Sequence, residues 1–174
     1  MTTWIAFLRA INLGATRKFP KDAIIAATEA AGGRDVKTYI NTGNVLLTHD
    51  SDDRATVEAA LEKAYREDRG FEVPTICVTP AELREIADAA AAFAHTGRHY
   101  VSLLKDEPLP ASIETLEALA AAGESLKVVG RGVHLMLGEN YHTARLTNSV
   151  VEKHLGVATN RNLNVIAKLA ELWG

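Results

Sequence analysis

Short continuous apolar runs alternate along the chain with stretches of helical spacing. Trp4–Leu8 (WIAFL) is apolar throughout, the pattern of a buried strand, and residues 9–19 then form an irregular polar loop. KDAIIAATEAAGG, from Lys21, predicts a helix with Ile24, Ile25, Thr28 and Ala31 on one face and Gly32 or Gly33 at its left-handed end. VKTYI and VLLT predict two strands joined through Asn41–Thr42–Gly43–Asn44, where Gly43 is available for positive φ. Residues 52–69 predict a longer helix with Val57, Ala60, Leu61, Ala64 and Tyr65 inward and Gly70 as its stop. VPTICVT is a further strand. TPAELREIADAA then opens a helix with Thr79 as N-cap, Pro80 first and Glu82 closing a capping box.

The second half repeats the order. HYVSLL reads as a strand, SIETLEALAAAG as a helix, and SLKVVGRGVHLML as a hairpin about Gly130–Arg131–Gly132. LTNSVVEKHLG follows as a helix with Ser149 and Glu152 in capping-box spacing. NLNVIAKLAELWG is a last helix with Leu163, Ile166, Leu169, Ala170 and Trp173 inward. The first half carries a clear fourth strand, whereas no fourth strand is legible in the second. Strand–helix–hairpin–helix–strand is the split βαβ order. The expected fold is therefore α+β: two similar ferredoxin-like subdomains, residues 1–95 and 96–174. Each is a sheet of about four strands or fewer with helices packed on one face.

Composition narrows the function. The 174 residues are 47% hydrophobic with a net charge of −3, which supports a packed core and argues against a whole-surface nucleic-acid binder. Charge is uneven: residues 51–95 hold five Lys/Arg against ten Asp/Glu, and residues 1–50 hold six against four. A bound anion is therefore expected near the chain ends, where the positive excess lies. A single cysteine, Cys77, and an N-terminal run broken by Arg9 predict a cytoplasmic protein without a secretion signal or membrane span.

FLRAINLG near the N-terminus, YINTGNV at the first hairpin, RLTN at 145–148, TNRN at 159–162 and KLAEL near the C-terminus occur in a distinctive order. Together they resemble the bacterial domain-of-unknown-function 1697 family along essentially the whole chain. The resemblance implies paired ferredoxin-like subdomains and brings no established activity. Two positions depart from the family's frequent pattern: Arg145 replaces a lysine, keeping the charge, and Leu163 replaces a tryptophan. A stacking platform at the latter position is absent here.

The polar motifs supply the candidate site: Arg9, Asn12, Asn41, Asn44, Arg145, Thr147, Asn148, Arg161 and Asn162. Arg9 and Asn12 follow the first strand, where ligands of α/β proteins commonly sit. Arg145 and Arg161 each precede a helix, and a cation beside a helix N-terminus is mildly unfavourable unless an anion or carboxylate joins it. Arg17 and Lys18 add charge to the first loop. Turn chemistry and capping account for several of these amides and hydroxyls without a ligand. Asn and Thr orient ligands but do not titrate near neutral pH, so binding is expected over catalysis. The expected ligand is anionic or phosphate-bearing, a nucleotide or nucleic acid. The alternatives are an enzyme acting on an anionic small molecule, with His142 as its titrating group, and a structural polar network between subdomains. No cofactor is identified. His95, His99, His134 and His142 lack the cysteine pairs or HExxH spacing of a metal site, and none is expected.

Overall fold

A computed structural model describes residues 1–174 as two compact units, Met1–Pro80 and Ala81–Leu172. The first holds β1 (Thr2–Leu8), α1 (Lys21–Ala30), β2 (Arg34–Tyr39), β3 (Asn44–His49), α2 (Arg54–Arg69) and β4 (Thr75–Val78). Its antiparallel sheet has the order β2-β3-β1-β4. The second holds α3 (Pro80–Phe93), β5 (Arg98–Leu104), α4 (Pro110–Glu117), β6 (Ser125–Val129), β7 (Gly132–Leu137), α5 (Asn148–Leu155), β8 (Ala158–Asn162) and α6 (Leu163–Trp173). Its sheet order, β6-β7-β5-β8, repeats the first. Both are ferredoxin-like α+β sheets, as the element order predicted.

In the first unit the strand alternation puts Trp4, Ala6, Leu8, Val45, Leu47 and Cys77 into one core. Ile24 and Ala27 of α1 and Val57, Leu61 and Tyr65 of α2 cover that face. The Tyr65 hydroxyl lies 2.7 Å from Thr28 Oγ1, so a buried phenol keeps a hydrogen-bond partner. Glu58 is a charged residue within this core. Its carboxylate accepts from the Cys77 N–H at 2.9 Å and from Arg54 at 3.1 Å. Helical spacing alone does not mark it, because its partners come from β4 and from the preceding turn of α2.

In the second unit α4 and α5 cover one face, over Leu104, Leu126, Val133, Leu135 and Leu137. α3 packs on the other. A Cβ at Gly132 would lie 2.7 Å from Ile86 Cγ2, so only glycine admits this helix so close to β7. Arg131, also buried, donates to Glu82 at 3.0 Å and to the Leu104 carbonyl at 3.0 Å. The fourth strand that the sequence did not reveal is β8. Its residues ATNRN carry little apolar signal, and pairing with β5 imposes the extended conformation.

Under α3 the rings of His99 and His134 are 5.0 Å apart. His134 Nε2 lies 2.9 Å from the Ile86 carbonyl, which can only accept, so Nε2 carries the proton. His134 Nδ1 therefore accepts from His99 Nε2 at 2.8 Å. Burial, with His134 and His95 nearby, pushes His99 down to about 4, and burial also lowers His134. Unfolded histidines bind protons from about pH 6.5 downward, whereas folded His99 resists until about pH 4 and His134 is held below its ordinary value as well. Stability is therefore expected to fall as pH drops through that window. Melting temperature measured from pH 7 to 5 should decline, and decline less in His99→Gln. A wild-type profile as flat as the variant's contradicts the assignment.

Candidate functional site

β1 and β2 both run antiparallel to β3, so their carboxyl ends point the same way. The loop from β1 enters α1 at that end. Between them lies a cleft of about 780 Å³ lined by Asn12, Gly14, Lys18, Phe19, Pro20, Lys21, Ile24, Thr38, Ile40, Asn41, Gly43 and Asn44. Its volume falls within the range of small-molecule sites. Two lysines and no carboxylate line it, so the lining is cationic.

Two of its amides build the walls. Asn12 Oδ1 accepts from the Phe19 N–H at 2.8 Å, and Nδ2 donates to the Phe19 carbonyl at 3.1 Å and the Asn41 carbonyl at 2.8 Å. One side chain thus ties the loop to the hairpin. Asn44 is fully buried and donates to the Tyr39 carbonyl and to Thr42 Oγ1, each at 2.9 Å. Gly43, at φ 87°, fits where a Cβ would lie 2.7 Å from Leu8 Cβ. Arg17 locks the loop from outside, donating to the Ala10 and Glu72 carbonyls with its guanidinium over Phe71.

The other polar groups are uncommitted. Lys18, Lys21, Thr38 and Asn41 line the cleft, and their side chains make no hydrogen bond or ion pair with the protein. α1 begins here with Pro20 as N-cap, and no side chain caps its first N–H groups. Ile40 has φ 51°, an unusual conformation for a β-branched residue, and stays 49% exposed. Such strain tends to be kept where it serves a site.

The second unit diverges at the equivalent point. Its strand-to-helix connection is only residues 105–109, where Asp106 and Glu107 outweigh the single Lys105. Its hairpin turns through Gly130–Arg131 alone. The two sheets repeat, but the long cationic loop belongs to the first.

The remaining expected residues have other surroundings. The Arg9 N–H donates to the Pro74 carbonyl at 2.9 Å, extending the β1–β4 ladder. Arg145 is exposed, and its N–H donates to the Glu124 carboxylate at 3.0 Å. Arg161 is not beside an open helix start; it lies within β8, 7% exposed, donating to Thr159 Oγ1 at 2.8 Å and the Asn160 carbonyl at 2.9 Å. Burial lowers it to about 10, so it stays charged at neutral pH. Asn148 accepts from Ser102 Oγ at 2.9 Å and donates to the Ala158 carbonyl at 3.0 Å. Thr147 caps α5, the role Ser149 was expected to fill, and Asn162 caps α6. Sequence reasoning passed over Lys21, Thr38 and Ile40, which read as a helix start and a strand end. Their only signal was proximity to a polar loop and turn.

No helix of the chain is long and apolar enough to cross a membrane. The fold matches the structure of the conserved bacterial protein SP0830 from Streptococcus pneumoniae, with a TM-score of 0.80 and 22% identity. That alignment covers 99% of this chain and 98% of the other, and at this identity it shows the fold alone. No curated protein matches the chain. A family model described as "Protein of unknown function (DUF1697)" matches residues 1–134, most of the chain and all of the cleft, so the protein belongs to the DUF1697 family.

Proposed function

We propose that this protein binds an anionic, phosphate-bearing ligand in the cleft at the carboxyl ends of β1 and β2. The observation that carries this reading is the set of uncommitted groups there. Lys18 and Lys21 bring positive charge with no carboxylate to neutralise it, and Thr38 and Asn41 offer hydrogen bonds that the protein leaves unused. The open start of α1 adds N–H groups on the same side. Of the residues expected from sequence, Asn41 is assigned to the ligand, and Asn12 and Asn44 to holding the cleft's shape. Binding is favoured over catalysis because no histidine or carboxylate lines the cleft to move a proton.

Calorimetric titration with inorganic phosphate and with mononucleotides at low salt tests this. Removing both lysines (Lys18→Ala with Lys21→Ala) is expected to weaken binding by about tenfold or more. Both side chains are exposed, so melting should be unchanged. A double variant that binds as wild type does overturns the proposal.

A further inference from the structure

Resting on that reading, we infer that the cleft's ligand is a mononucleotide: a phosphomonoester joined to an apolar, hydrogen-bonding ring, rather than a bare phosphate, a sugar phosphate or a nucleic-acid strand. The lining is divided by chemistry. One part is cationic, with Lys18 and Lys21 at the start of α1. Another is apolar, formed by the exposed Pro20 and by Ile40, which is half exposed on a turn with positive φ, over the buried Ile24. A bare phosphate leaves that apolar part in water, and a sugar phosphate presents hydroxyls to it. A heterocycle covers it, and apolar surface removed from water adds affinity.

The uncommitted polar groups agree with a base edge. The Asn41 amide carries a donor pair and an acceptor on one planar group, which suits the adjoining donor and acceptor of a nucleobase. Thr38 comes from the end of β2, opposite Val45, and so lies on the face that α1 covers. Its hydroxyl serves as either donor or acceptor. A strand of nucleic acid fits less well. Polymer binding draws on many phosphate contacts, whereas this cleft holds two cations on a chain of net charge −3.

The test compares affinities for inorganic phosphate, the four ribonucleoside 5′-monophosphates and a short single-stranded oligonucleotide, measured by calorimetry on the full chain. At least one mononucleotide is expected to bind about tenfold more tightly than phosphate. Ile40→Gly should bring that ratio towards one, and Lys21→Ala should weaken phosphate and nucleotide together. Glycine at φ 51° relieves strain, so the Ile40 variant should melt no lower than wild type. Equal affinity for phosphate and every mononucleotide overturns this inference while leaving anion binding in the cleft intact. Tighter, steeply salt-dependent binding of the oligonucleotide overturns it in favour of a polymer. No binding of any of them overturns both this inference and the proposal beneath it.

Discussion

Replacing Asn12 with alanine is expected to lower folding stability by about 2–4 kcal/mol, far more than a half-exposed loop residue usually costs. The Asn12 side chain engages three backbone groups at 2.8, 3.1 and 2.8 Å, from the loop and from the hairpin turn. Alanine leaves the Phe19 N–H and two carbonyls without those partners. It also places a residue less tolerant of φ 52° at that point. Asn41→Ala is the matched control. Its side chain is exposed and bonds to nothing in the protein, so stability should change by no more than about 0.5 kcal/mol. Urea denaturation separates the two. Equal, small losses in both would show that Asn12 does not hold the loop to the hairpin.

The second large effect is expected at Arg161. Arg161→Ala should cost about 2–4 kcal/mol, through a cavity in β8 and through the bonds lost to Thr159 and the Asn160 carbonyl. Arg161→Lys should not rescue it fully, because one ammonium cannot reproduce the fixed fork of a guanidinium. Arg145→Ala, at an exposed position, should be nearly neutral. Thermal melts of the three variants check this. If Arg161→Ala melts with wild type, the buried arginine is not structural.

These two arginines show where sequence reading stops. RLTN and TNRN look alike: each sets an arginine among amides and hydroxyls just before a helix. What separates them is strand pairing. Arg161 is opposite Val101 in the β5–β8 ladder, whereas Arg145 follows an irregular turn with its N–H held by Glu124. Pairing is a long-range event, and a segment as polar as ATNRN carries no local trace of it. The repeated order of elements was legible, because apolar spacing and capping residues are local. α1, α2 and the two hairpins lie close to where periodicity put them.

The cleft was legible in part. Asn12 and Asn41 drew attention as amides at strand and hairpin ends, and the structure brings both to one place. Their roles differ for a reason that no spacing encodes. Asn12 turns inward to backbone groups that folding supplies, and Asn41 is left facing solvent. Ile40 was read as the end of a strand. Its positive φ, which turns an apolar side chain out beside two lysines, arises only when the turn closes over Gly43. Lys21 was counted as a helix start, and its place beside Lys18 depends on the loop that Asn12 holds.

The central claim is that the cleft at the carboxyl ends of β1 and β2 takes a phosphate-bearing ligand. Its most direct test is a titration of ¹⁵N-labelled protein with a mononucleotide, followed by amide chemical shifts. The account predicts saturable shifts concentrated at Lys18, Lys21, Asp22, Ala23, Thr38, Ile40 and Asn41. A spectrum that does not move, or whose shifts cluster around Arg145 and Arg161 instead, contradicts it.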